Sequence, residues 1–478
     1  MKTKSARLVS FVLRTLLAVG VAVVTSVAPS AAAAPEADVT YTKDIAPILQ
    51  RSCQQCHRPE SVAPMSLLTY EQARPWARAM KYRTGRGSAP DVMPPWYIEK
   101  DIGIQDYKGD ISLSAEEIAN IATWADNGAP RGNPADLPPA IEFTNASSWQ
   151  LGEPDLVLRS EEIETLPTAP DWWGPMGEVE TGLTEDRYVS AIEMREVNST
   201  DGVPERDTIG GLYVIHHALI TPVGPDGVPE ASAGFWPVHE VGRNPDIFHP
   251  DSGKLLKAGS KIILPSSHLH SNGRHTRAHL EIGLKFHPQG YEPTRTVQII
   301  GPATLDLDIK PMEADQKFEA FSTLMEHTKM TVFEPHMHAA GVRMCLDAIF
   351  ENTIETLSCS GYNHSWVRVY TYEDHVAPLL PKGTILRITG YFDNTPTNRN
   401  VSDPRNWSGL GHRSIDNMMI NIGQAVFMDD EEFAQEVAQR REQLALAPGE
   451  TVTGCPLCGY SEVPALSVTA DDDNDGGQ

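Results

Sequence analysis

The chain has 478 residues, a formal net charge of −25, 36 glycines, 37 prolines and six cysteines. That length accommodates several domains, each large enough to bury its own core. The acidity excludes nucleic acid as a partner, because a phosphate-binding face needs clustered Lys and Arg. The glycine and proline content favours many short strands and turns over long helices.

Lys2, Lys4, Arg7 and Arg14 precede an apolar run at 16–27, followed by small residues at 30–34. This is the layout of a secretory signal over residues 1–34. The run is shorter than the ~20 apolar residues of a membrane span, and no later segment reaches that length. The expectation is a periplasmic protein of a Gram-negative bacterium with no integral membrane segment after cleavage; an uncleaved anchor is the alternative. An oxidising compartment permits disulfides. Cys345 and Cys359 read as a staple across two strands. Cys455 and Cys458, in Cys-Pro-Leu-Cys, read as a tight disulfide rather than half of a metal site, since no second Cys or His pair lies nearby.

A helical segment from Thr42 runs into Cys53-Gln-Gln-Cys56-His57. Two cysteines so spaced can form thioethers to the vinyl groups of a porphyrin, which holds His57 beneath the iron as axial ligand. Met65, Met80 and Met93 compete for the sixth position. Met80 suits core packing in a helix over 69–80, and Met65 follows His57 too closely to cross to the opposite haem face. Met93, in Asp91-Val-Met-Pro-Pro-Trp96, is held out of helix by two prolines and is the expected ligand. Ser114-x-x-Glu117 forms a capping box before a helix whose apolar face is Ile118, Ile121, Ala122 and Ala125, stopped by Gly128. Together these features resemble a small all-α cytochrome c domain over residues 38–135. A proline-rich linker at 136–143 follows.

From residue 144 the pattern changes to short strand-like runs: Leu156-Val-Leu158, Tyr188-Val-Ser-Ala-Ile192, Leu212-Tyr-Val-Ile215, Lys261-Ile-Ile-Leu264 and Thr384-Ile-Leu-Arg-Ile388. One β-sandwich of that length would be oversized, so two are expected, at 144–300 and 301–430. The first carries His216-His217. Adjacent strand residues face opposite sides, so both reach one ion only if the strand bulges or ends there. His268 or His270 offers a third imidazole. The second sandwich carries His336 and His338, which share a face, and later Met418-Met419, of which only one can turn to them. Two imidazoles with a thioether suit copper, especially Cu(I). Residues 431–478 read as a helix and an acidic tail.

His-His, a later single His, His-x-His and a Met in an Asp-x-Met setting resemble, in that order, the copper monooxygenases related to peptidylglycine alpha-hydroxylating monooxygenase and dopamine beta-monooxygenase. The resemblance implies two jelly-roll-like sandwiches, each holding one copper, facing each other across an open cleft. It implies that His216, His217 and His268 form the electron-relaying site, and that His336, His338 and Met418 form the catalytic site where dioxygen meets a C–H bond of a small organic substrate. One covalent haem c, fed by a periplasmic electron donor, would supply the electrons. Peptide-acting members place an Arg two residues before their His-x-His to pair with a substrate carboxylate; Glu334 stands there instead and would repel one. A copper oxidase, or a haem electron-transfer protein with non-catalytic binding sandwiches, are the competing readings.

Overall fold

The computed structural model describes residues 39–59, 61–143, 149–200, 212–229, 236–413 and 415–460. The expected signal at 1–34 and the acidic tail from 471 lie outside the described residues. The chain is mostly β-sheet, in several sheets, with a few short helices.

The N-terminal part is helical. A π turn at Tyr41–Ile45 leads into Ala46–Ser52, which delivers the chain to Cys53. Thr69 and Gln72 exchange side-chain and backbone bonds to open Tyr70–Ala73, and the chain continues helically through Arg74–Trp76 to Ala77–Thr84. The Ser114–Glu117 capping box forms, and Ala115–Asp126 follows it; Gly128 takes a φ of +82° just beyond, the left-handed conformation that ends helices. Ile45, Leu49, Leu67, Ile121 and Trp124 fill the shared core, with Met80 packed among them.

The helical part is not self-contained over 38–135. Ile98–Gly103 leaves it and pairs antiparallel with Thr353–Gly361 at the edge of a five-stranded sheet. Trp96, Ile98, Ile104 and Tyr107 are buried in that sheet's core rather than among the helices. An aromatic and aliphatic cluster this dense needs a larger apolar partner than the short helices offer.

In the first β body the long strands Arg187–Thr200 and Thr276–Phe286 pair antiparallel along most of their length. Ala278, Leu280, Ile282 and Leu284 are at most 1% exposed, a period of two that points one face inward. A smaller four-stranded sheet holds Trp172–Gly174, Ser267–Leu269, Ile215–Ala218 and His239–Glu240, in that order. The expected strand at 212–215 therefore begins only at Ile215.

In the second β body the five-stranded sheet runs Ile98–Gly103, Thr353–Gly361, Gly341–Phe350, Ile385–Phe392, Gln316–Thr323. A four-stranded sheet, Val297–Ile299, Gln424–Met428, His327–Met330 and Leu379–Leu380, contributes to the same core. Val297–Ile299 pairs into this sheet while Val297 itself packs in the core of the first body, so the strand just before the expected division at 301 belongs to both. Cys345 and Cys359 are register partners joined by a disulfide, and Cys455–Cys458 is a second one. The helix Asp430–Gln443, capped by Asp429 and Glu432, buries Phe433 and Val437 against that Cys455–Cys458 corner. No helix among the described residues is long and apolar enough to cross a membrane.

Candidate metal centre and the cavity beside it

Ser267 pairs with Ala218 and His268 with His217, but Leu269 pairs with Ile215. His216 is therefore the extra residue of a β-bulge, and a bulge re-aims the side chains on either side of it. The ligand nitrogens of His216, His217 and His268 consequently lie within 4.8 Å of one another. Glu196 holds the approach to the bulge, accepting hydrogen bonds from the amides of Val214 and Ile215. His268 is oriented by Asp171, whose Oδ2 is 3.3 Å from its Nε2, and by Trp173, stacked on it at 4.6 Å. His270 stays nearby, its ring 6.0 Å from His216 and 6.2 Å from His268, outside the three-nitrogen group. Burial, then the neighbouring imidazoles, hold His216 well below the usual histidine range. Burial also brings His217 down to about 4, against the pull of Glu240. Both are neutral at pH 7, the form whose lone pairs bind metals.

His336 and His338 lie with rings 5.4 Å apart. Their strand, Pro335–Met337, pairs with Met419–Asn421 so that His336 faces Ile420 and Met337 faces Met419. Met337 and Met419 are fully buried against Gly390, where a Cβ would sit 2.3 Å from the Met419 sulfur. The core thus takes Met337 and Met419, and strand alternation leaves the opposite face to the two histidines. Continuing the register one residue past the ladder sets the half-buried Met418 across from His338. His338 Nδ1 lies 3.3 Å from the Asp416 carbonyl oxygen, which ties this loop to the imidazole. His336 Nδ1 lies 3.1 Å from Glu240 Oε1. Burial would lower the His336 pKa, but Glu240 outweighs it and the net shift is upward. Such contacts orient metal-binding imidazoles.

The two sets are not separated by an open cleft. His364, a residue no sequence pattern singles out, is buried between them, its ring 4.4 Å from His216 and 6.0 Å from His338, with an unpartnered Nδ1. Glu240 also touches both sides: it is the register partner of His217 and the ion-pair partner of His336. Around it Arg243 pairs with Glu240 at 3.3 Å, with Asp246 at 2.9 Å and with Glu334. Glu334 is thus not free to meet a substrate. It is 1% exposed and its charge is matched from the first β body.

Cys53 and Cys56 are the unbridged cysteines, and burial pushes the Cys53 thiol up to about 12. His57 Nδ1 lies 3.2 Å from the Met65 carbonyl oxygen, the kind of bond that fixes an axial imidazole and its tautomer. A cavity of about 710 Å³ opens beside the cysteines, lined also by Tyr213, Glu240, Trp366 and Arg368. Pockets that enclose cofactors span roughly 300–1,000 Å³. Two free thiols at this spacing beside a cavity of this size fit a covalently held haem, although His57 is not among the residues that line it. Met93 is 40% exposed, its amide bonded to the Arg83 carbonyl, and it does not line the cavity. Three residues on, Trp96 is buried in the second β core rather than among the helices.

No family profile matches the chain, and no curated protein matches it. Solved structures with some likeness include the major capsid protein P2 from bacteriophage PM2, with 10% identity over 55% of this chain and 99% of that one and a TM-score of 0.25. A structure of infectious bursal disease virus, Gx strain, has 11% identity over 57% of this chain and 71% of that one, with a TM-score of 0.15. At these scores neither bears on what the chain does.

Proposed function

We propose that the chain is an exported, periplasmic copper-dependent monooxygenase, similar to the peptidylglycine and dopamine enzymes, with two jelly-roll-like sandwiches and a cytochrome c-like N-terminal part. His216, His217 and His268 hold an electron-relaying copper. His336, His338 and Met418 hold the copper at which a small organic substrate is hydroxylated. Cys53, Cys56 and His57 hold one haem c, which takes electrons from a periplasmic donor. When bound, the coppers supply one-electron storage and dioxygen chemistry, and the haem supplies electrons singly. The chain's own residues orient: Asp171, Glu240 and the Asp416 carbonyl aim the imidazoles. Met418 offers the soft donor that favours the reduced metal.

The observation that carries this reading is the bulge at His216, which brings nitrogens of two adjacent histidines and of His268 within 4.8 Å of one another. Metal analysis of the full chain should give two coppers and one haem, and labelled dioxygen should appear in a hydroxylated product. A chain that takes up no copper refutes the reading. The closeness of the two sets through His364 favours one competitor, a copper oxidase. Label recovered in water alone, with none in organic product, would select it.

A further inference from the structure

Five guanidiniums line the cavity beside Cys53 and Cys56. A buried guanidinium needs an anion or a full set of acceptors, because removing it from water is otherwise strongly unfavourable. Arg51 pairs with Glu117, Arg195 with Glu281, and Arg243 with three carboxylates. Arg58 donates to the Gln55 carbonyl and lies over the Phe143 ring. Arg368 differs. Its Nη1 donates to the Gly242 carbonyl at 3.2 Å, it lies 5.6 Å from the Trp96 ring, and its Nε is buried without an acceptor. Among the described residues no carboxylate pairs with it; the ionisable groups nearest in effect, Tyr370, Cys56 and Tyr97, are all pushed up by burial and carry no charge at neutral pH.

We propose that Arg368 binds a propionate of the haem attached at Cys53 and Cys56, so that the second β body completes a haem site begun by the helical part. This rests on the haem reading above. A guanidinium presents parallel N–H donors that match a carboxylate, and enclosure in a cavity strengthens the pair. The placement joins two sites. Arg368, Trp366 and His364 alternate along one loop. Trp366 packs on Gly242, where a Cβ would sit 2.6 Å from the indole, and its ring lies 6.3 Å from Tyr213; His364 lies against His216. One short loop therefore runs from the haem cavity to the imidazoles.

The test uses the full chain matured with covalent haem, as wild type, Arg368→Gln and Arg368→Lys. Haem per chain is read from the pyridine haemochrome spectrum, and the midpoint potential is measured against pH. Glu193 and Glu196 line the same cavity, and burial raises the pKa of the first and brings that of the second up to about 7, so the wild type carries their pH slope, to which a propionate held ionised by the guanidinium adds nothing. Arg368→Gln should keep its thioether-bound haem, shift to lower potential and acquire a steeper pH slope than the wild type, and Arg368→Lys should restore most of the wild-type profile. A Gln variant with the wild-type potential and pH profile overturns the assignment and leaves the haem reading standing. So does an Arg368→Lys variant that binds haem but whose potential falls as far as that of Arg368→Gln. A wild type without covalent haem overturns both.

Discussion

His216 depends on a backbone irregularity more than on its own chemistry. Without the bulge it would turn away from His217, and the bulge is held in part by a carboxylate twenty residues upstream in the chain (Glu196). In Glu196→Ala the amides of Val214 and Ile215 lose their acceptor, which should cost about 1–3 kcal/mol in urea unfolding. The same change should weaken copper at the three-histidine set about tenfold or more, the usual effect of disturbing a ligand's support. Met418→His should retain two coppers by metal analysis yet lose most turnover, and full turnover in that variant removes Met418 from the catalytic role. His364→Ala should lower the affinity of one copper by about 10–100-fold in a competition titration. The histidines and methionines were recognisable by type and spacing. His364 was not, because its neighbours come from other parts of the chain and nothing in Tyr362-Asn-His-Ser-Trp366 hints at them.

At the level of elements, local chemistry was a reliable guide wherever it acts within a few residues. Both helix-opening Ser114–Glu117 and Asp429–Glu432 bonds form as short-range geometry demands. The choice between Met418 and Met419 also follows from alternation, once the pairing of Met337 with Met419 is known. Pairing over longer distances is what local patterns omit. Ile98–Gly103 sits in a stretch dominated by helical signals, and only its distant partner Thr353–Gly361 makes it a strand. The disulfide between Cys345 and Cys359 locks the neighbouring ladder across a separation of 14 residues. Replacing both cysteines with alanine should lower stability by about 3 kcal/mol, the loop-closure value for a ring of that size, read as a lower urea midpoint at unchanged slope.

Across the whole molecule, the first and second β bodies meet through a buried charge cluster: Arg243 from one side, Glu334 and His336 from the other, with Gln424 donating to Asp246 at 2.8 Å. One guanidinium serves three carboxylates there. Arg243→Met should therefore cost about 3–5 kcal/mol, because it strands buried anions rather than removing a single bond. Equilibrium denaturation checks the loss, and a variant as stable as wild type would show that the cluster does not hold the bodies together. The cluster also explains how a buried carboxylate is tolerated at 334, beside the two histidines: its counter-charge arrives from another part of the fold.

The sequence by itself determined local geometry: the Ser114–Glu117 capping box, the shared face of His336 and His338, the Cys345–Cys359 and Cys455–Cys458 disulfides, and the strand character of most of the chain after residue 144. These depend on residues close along the chain. Tertiary structure alone decided that His216 bulges, that Met93 stays exposed while Arg368 faces the cysteines, and that His364 closes the gap between the two histidine sets. Each of those outcomes is set by strand register and by which distant surfaces bury one another, and such contacts leave no periodic trace along the chain.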